Sequence, residues 1–128
     1  MNPVFVASVA AGGAIGATLR YFVTLAGVQL FGPGFPWWTL FVNVTGSFAM
    51  GAAFEFIAGR YQIPNPAQLF LMTGILGGFT TFSAFSLEFA TMVESRDYLT
   101  AFAYAAGSVI LSIAALMAGL YLMRANIT

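Results

Sequence analysis

Four long apolar runs follow one another along the chain, and short polar or turn-forming segments separate them. Each run is close to the ~20 residues that a helix needs to cross the hydrocarbon core of a bilayer. The runs cover residues 4–30, 37–59, 67–93 and 98–123. This pattern predicts an all-α integral membrane protein with four transmembrane helices, in a single transmembrane domain over residues 1–128.

Composition agrees with this pattern. Apolar residues make up 60% of the chain and charged residues 6%, with a mean hydropathy of +0.91, whereas about a quarter of a soluble domain is charged. We therefore expect a multi-pass membrane protein, surrounded by membrane lipid and with no nucleic-acid partner. The short single chain fits the cell inner membrane. Cys and His are both absent, which removes thiol nucleophiles, imidazole bases and most transition-metal sites. The chain is not expected to be an enzyme.

The third run contains the most informative motif, GGFTTFSAFS, from Gly77 to Ser86. A glycine pair in mid-membrane is a place where a helix can break. A break leaves backbone carbonyls unpaired, and hydrocarbon offers them no partner. The motif therefore predicts a break in the third helix, with an ion as the usual partner of the freed carbonyls.

Polar side chains recur every four residues in two of the runs, so each set lies on one helix face. The sets are Thr39, Asn43 and Ser47 in the second run, and Tyr104, Ser108 and Ser112 in the fourth. Hydroxyl groups at such positions serve helix packing or line a polar path. Asn43 differs, because an unpaired amide in hydrocarbon costs several kcal/mol. It should face a partner, a cavity or a permeating species.

Phe82 and Phe85 share one helix face just beyond the glycine pair. Phenyl rings in a membrane helix are often filler, but the positive edge of a ring can also face an anion. Hydroxyl donors surround the two rings at Thr80, Thr81, Ser83 and Ser86. Donors without a full positive charge suit a small, strongly hydrated anion, because they replace its water without trapping it.

Two ionisable residues lie inside the runs, Arg20 in the first and Glu88 in the third. Intramembrane charges are functional candidates by default. Alternatively, the two side chains neutralise one another, or Arg20 reaches the interface with its long side chain and serves as an anchor.

The charges near the ends of the runs say little about the direction in which the chain inserts into the membrane. One side of the membrane would carry Arg60 and Arg124, and the other Arg96. Orientation follows the Lys/Arg asymmetry of short loops, so this small difference allows insertion in both directions. Two oppositely inserted copies would be able to pair about an axis in the membrane plane. The alternative is that Arg60 and Arg124 suffice to fix a single topology.

These residues carry a resemblance over the whole chain to the Fluc (CrcB-type) fluoride channels. The resemblance rests on the four short runs, on GATLRY from Gly16 to Tyr21, on Asn43 after Phe41 and Val42, and above all on GGFTTFSAFS. It implies a dual-topology homodimer with two antiparallel pores, which pass fluoride out of the cell, exclude chloride and so reduce fluoride toxicity.

The resemblance also implies roles for particular residues. Phe82 and Phe85 would contact the anion with their ring edges, Asn43 would be the facing amide donor, and Arg20 would lie in the pore vestibule. The full set of candidate fluoride-pore residues is Asn43, Phe82, Phe85, Thr81, Ser83, Tyr104, Ser108, Ser112 and Arg20. The backbone carbonyls of Gly77 and Thr80 from both subunits would hold a structural Na⁺ at the dimer interface.

Two other classes of protein fit the length and the weak charge bias. One is a small dual-topology exporter of the multidrug type, which exchanges cations for protons. The other is a non-transporting membrane assembly subunit, in which the polar stripes only hold helices together. Anion efflux, proton-coupled cation uptake, or neither would separate the channel from these two alternatives.

Overall fold

The computed structural model describes residues 1–58 and 63–127, and within these residues all regular structure is helical. Four helical segments are long and apolar enough to cross a membrane, as the sequence pattern predicts. They are α1 (Pro3–Phe31), α2 (Trp37–Ala58), a composite third span (Asn65–Glu94) and α6 (Tyr98–Ile127). The expected end of the second run at Gly59, and Arg60 with its bearing on orientation, lie outside the described residues.

The third span is built from several helical pieces. It begins with α3 (Asn65–Gln68), continues as a π-helical segment (Leu69–Leu76) and a short α4 (Gly77–Phe79), and ends with α5 (Phe82–Glu94). Between the last two pieces, Thr80 and Thr81 have extended backbone angles, with φ/ψ of −85°/155° and −152°/121°.

The glycine pair itself is helical, with Gly77 at φ −64° and ψ −37°. The GGFTTFSAFS motif predicted a helix break at these glycines, whereas the extended residues follow three positions later, at Thr80 and Thr81. Packing explains why a glycine is present, because a Cβ on Gly78 would lie 2.8 Å from the carbonyl oxygen of Gly13 on α1. Gly78 thus allows two backbones to approach closely.

The contact between α1 and the π-helical segment is made backbone against backbone. A Cβ on Gly12 would lie 2.8 Å from the Cα of Gly74 and would overlap the carbonyl oxygen of Phe70. Lipid tails are as apolar as side chains, so membrane helices associate largely through such close van der Waals packing. Small residues at this contact hold α1 against the third span.

Helices α2 and α6 run in the same direction, because one crossing of the chain separates them, and they pack along most of their length. Thr39 and Tyr104 meet at one end of this pair, where both bond to Glu88. At the other end Arg124 Nε lies 2.9 Å from Glu55 Oε1. This register places the two polar stripes, in each of which a polar residue recurs every four positions, side by side along the helix pair.

The most buried side chains lie in this same region. Val42, Ala101 and Tyr104 are almost inaccessible, and Thr39 is buried with them. Most large apolar residues of α1 and α6 are exposed, as expected for helices whose outer faces meet lipid tails or a partner rather than water. The interior of the helix bundle is therefore partly polar and its exterior apolar.

The turn after α5 places Arg96 in the left-handed region, at φ 62°. The N–H of Asp97 donates to the carbonyl of Met92 and that of Arg96 to the carbonyl of Val93, both at 3.0 Å. This pair of bonds is the Schellman motif, in which glycine is the usual residue at the left-handed position. The α5–α6 connection thus closes tightly with an arginine where glycine would fit with less strain.

Candidate functional site

Asn43 on α2 joins the interrupted part of the third span through two hydrogen bonds. Its Nδ2 donates to the carbonyl oxygen of Thr81 at 3.0 Å, and its Oδ1 accepts from the N–H of the same residue at 2.7 Å. The side-chain amide therefore pairs with the extended backbone as a neighbouring strand would. This arrangement provides the partner that an amide needs in hydrocarbon. Nδ2 carries a second N–H that can serve a ligand.

Thr81 also caps the N-terminus of α5. Its Oγ1 accepts from the N–H of Ala84 at 3.2 Å and lies 3.2 Å from Ser83 Oγ. A threonine in extended conformation that accepts from the third following N–H is a helix N-cap. Thr81 thus starts the helix that carries the two phenyl rings, and its backbone is fixed by Asn43.

The same bonds free two backbone carbonyls. In a continuous helix the N–H of Thr81 would donate to Gly77 and the N–H of Ala84 to Thr80. Here the first donates to Asn43 Oδ1 and the second to Thr81 Oγ1. The carbonyl oxygens of Gly77 and Thr80 are thereby left without their helical donors. Carbonyl oxygens of this kind are ligands that hard cations accept.

Phe82 and Phe85 lie on the first turn of α5, with ring centroids 5.5 Å apart and planes inclined at 53°. Their surroundings differ sharply. Phe85 is only 8% exposed and packs against the ring of Tyr104 at 5.1 Å, whereas Phe82 is 75% exposed. One ring is thus part of the interior of the helix bundle and the other projects from its surface.

A cavity of about 310 Å³ lies between α2, α6 and the start of α5. It brings together many of the candidate fluoride-pore residues. Its lining consists of Asn43, Ser47, Thr80, Thr81, Phe82, Phe85, Ser108, Val109, Ser112 and Ile113. A larger cavity of about 830 Å³ lies between α1 and α2, but its walls are almost entirely apolar and offer an ion little. The smaller cavity is therefore the candidate ion site.

Ser108 carries an unsatisfied hydroxyl in this cavity. The residue is 6% exposed, and its Oγ has no hydrogen-bond partner among the described residues. A buried hydroxyl without a partner is costly, so it calls for a specific explanation. A ligand in the cavity would provide the missing acceptor.

Glu88 forms a second polar centre next to the cavity. Its Oε2 accepts from Thr39 Oγ1 at 2.8 Å and its Oε1 accepts from Tyr104 OH at 2.9 Å. Thr39 was not among the candidate pore residues, although it begins the α2 stripe, and Tyr104 stands here as a donor to a carboxylate. The sequence pointed to Glu88 only as an intramembrane charge. Its partners follow from the register of α2 against α6.

Arg20 lies apart from this cavity. Its Nε donates to the carbonyl oxygen of Gly78 at 3.1 Å. The alternative in which Arg20 and Glu88 neutralise one another is wrong, because Glu88 bonds to hydroxyl groups and Arg20 to a backbone carbonyl. Arg20 thus ties α1 to the helical glycines and brings a positive charge beside the freed carbonyls of the third span.

No cluster of three or more His, Cys, Asp or Glu side chains that could hold a metal occurs within residues 1–58 and 63–127. Backbone oxygens near Gly77 and Thr80 are therefore the donor set that a cation would find in this region. Such a set suits a hard cation rather than a soft one.

The fold and these polar centres belong to a known class of membrane protein. The family model "CrcB-like protein, Camphor Resistance (CrcB)" matches residues 7–120, and the chain belongs to this family. It is 46% identical over 124 residues to a protein of Nitrobacter winogradskyi (97% of this chain and 98% of the relative). It is also 51% identical over 119 residues to a protein of Rhizobium meliloti (93% and 95%). Both relatives bear the name "Fluoride-specific ion channel FluC", as does a protein of Caulobacter vibrioides at 49% identity over 117 residues (91% and 92%). The resemblance stated from the motifs is confirmed, and so is the prediction that the chain is not an enzyme.

Proposed function

We propose that this chain is a passive, fluoride-selective channel that lets fluoride leave the cytoplasm across the inner membrane and so reduces fluoride toxicity. The observation that carries the proposal is the cavity beside Thr81, where an amide, several hydroxyl groups and two phenyl rings converge. Family membership and the names of the relatives support the same anion.

The donors in the cavity match the chemistry of fluoride. Fluoride is small and holds its water tightly, so a pore must replace that water with several donors at once. Asn43 Nδ2 and the hydroxyls of Ser108 and Ser112 supply neutral donors, and the ring edges of Phe82 and Phe85 supply further positive potential. Chloride is larger and gains less from each donor, so both size and hydrogen bonding disfavour it.

The exposed ring supports an assembly of two copies. Phe82 is three-quarters exposed, and the cavity that it lines opens at the surface of the protomer. We propose that an inverted second copy covers this opening, which gives two antiparallel pores in a dual-topology homodimer. An open polar cavity beside this ring is unfavourable against lipid, because acyl chains offer the cavity's hydrogen-bond donors no acceptor.

We further propose that Na⁺ occupies the centre of this dimer. The freed carbonyls of Gly77 and Thr80 from two inverted copies would supply four hard oxygen ligands on the symmetry axis. When bound, the ion contributes a fixed positive charge in a medium of low dielectric, which favours anions in the neighbouring pores. Arg20 adds to the same potential from α1.

The proposal is tested with purified protein in liposomes, by following fluoride and chloride efflux from identical vesicles with ion-selective electrodes. We expect fluoride efflux and retention of chloride. Equal passage of both anions would refute selectivity. Proton-coupled cation uptake in place of anion efflux would indicate the exporter, and the absence of any flux would indicate the assembly subunit.

A further inference from the structure

Ser47 lines the candidate cavity but has no role in the channel as described so far. It lies one turn beyond Asn43 on α2, and the register of the two parallel helices brings it to the level of Ser112 on α6. Ser47 and Ser112 therefore border the part of the cavity that is farthest from Glu88.

The hydroxyl of Ser47 makes no bond to its own helix, unlike several other hydroxyls of the spans. A serine or threonine in a membrane helix often donates to the carbonyl four residues earlier. Four such bonds illustrate the habit, from Ser8, Thr18, Thr45 and Ser86. Within the part of the chain that the structure describes, the side chains of Ser47 and Ser112 make no such bond, and Ser108 Oγ is buried without a partner. Three hydroxyls without internal partners, those of Ser47, Ser108 and Ser112, thus line one cavity, whereas Thr73 and Thr100, which also make no such bond, lie outside it.

We propose that Ser47 is a ligand of the permeating anion and that its Oγ–H, together with that of Ser112, forms a fluoride position beyond Phe82. This inference rests on the proposed function and extends it. On α2 the next turn carries Met50 and Gly51, whose side chains offer no donor. Ser47 is therefore the place where α2 can continue the set of donors that begins with Asn43, so that the anion leaves the amide without losing all contact on that wall.

The test removes the Ser47 hydroxyl and compares the variant with a matched change on the same helix. Ser47→Ala deletes the proposed donor. Thr45→Val deletes a hydroxyl whose bond, 2.6 Å to the carbonyl of Phe41, is internal and which lies outside the cavity. Fluoride efflux from liposomes is measured at several fluoride concentrations, with thermal unfolding and elution in detergent as checks of the fold. Ser47→Thr, which keeps the hydroxyl, is the rescue variant.

We expect Ser47→Ala to lower fluoride efflux by about tenfold or more, the effect of losing one hydrogen bond to a charged species. Thr45→Val should stay within about twofold of the wild type, and Ser47→Thr should retain more efflux than Ser47→Ala. Should Ser47→Ala fail to fold, Ser47→Cys provides nearly the same volume with only a weak donor, and the same loss is expected.

Two results would overturn the assignment. Efflux within twofold of the wild type in a folded Ser47→Ala or Ser47→Cys variant shows that the hydroxyl is not an ion ligand, while the proposed function stands. A wild-type protein that passes no fluoride refutes the proposed function, and the role of Ser47 falls with it.

Discussion

The two hydrogen bonds between Asn43 and Thr81 make Asn43→Ala the most informative substitution for stability. The change removes both bonds, of 3.0 and 2.7 Å, and leaves the N–H and the carbonyl of Thr81 without their partner. At the average of ~0.6 kcal/mol per hydrogen bond between membrane helices, losing two bonds lowers the unfolding free energy by at least about 1 kcal/mol. Two unsatisfied peptide groups at ~1–3 kcal/mol each give a ceiling of about 6 kcal/mol. Because Thr81 is only partly buried, we expect the loss to fall in the lower half of this range.

The assay is reversible unfolding of the purified protein in mixed micelles. Asn126→Ala is the matched control, since its Nδ2 donates to the carbonyl of Leu122 on an exposed helix end and its loss should change stability by no more than ~0.5 kcal/mol. If Asn43→Ala is as stable as this control, the extended backbone of Thr81 does not depend on its two bonds to Asn43.

Asn43→Asp separates the structural role of Asn43 from its role toward the anion. The carboxylate keeps an acceptor for the N–H of Thr81 but loses the donor and brings a negative charge to the cavity. We expect fluoride efflux to fall much further than stability does. Efflux at the wild-type level would show that Asn43 does not face the anion.

Three further predictions concern backbone positions. Gly12→Ala should destabilise the protein by ~1–3 kcal/mol, because the new Cβ would overlap with the Cα of Gly74. The control Gly13→Ala, whose Cβ meets nothing within 4 Å, should leave the unfolding free energy unchanged or raise it. Equal unfolding free energies for the two variants would contradict the close packing of α1 on the third span. Gly77→Val has room within the protomer, where the nearest atom lies 3.6 Å from its Cβ, so the protomer should fold while assembly or fluoride flux is lost, and normal flux would count against the central Na⁺. Arg96→Gly should raise stability by up to ~1 kcal/mol, since φ at this position is 62°, and an unchanged or lower unfolding free energy would show that the arginine is not strained.

Several of these features follow from the sequence because they depend on local pattern. The four spans come from hydropathy and length, and the cost of an unpaired amide singles out Asn43 for a partner. The four-residue spacing places Asn43, Ser108 and Ser112 on helix faces that do meet the same cavity. Local rules are strong in lipid, since hydrocarbon offers backbone groups no partner and a helix satisfies most of them within its own segment.

Other features depend on contacts between segments and could not be deduced from local pattern. The extended conformation falls on Thr80 and Thr81, and Gly78 stays helical because it packs on α1. The partners of Glu88 follow from the register between two helices. Nothing in the order of residues along one helix fixes that register, so the sequence could not exclude the alternative in which Arg20 neutralises Glu88, which is wrong.

The unequal surroundings of Phe82 and Phe85 have a consequence for how activity scales. A single copy of the chain has one buried ring, Phe85, and one exposed ring, Phe82, beside a cavity that is open at the surface. Under the proposed assembly, conduction would then grow with the square of protein density in very dilute vesicles and linearly once pairs predominate. The exponent with which conduction depends on protein density would therefore show whether a second subunit is needed to cover the exposed phenyl ring.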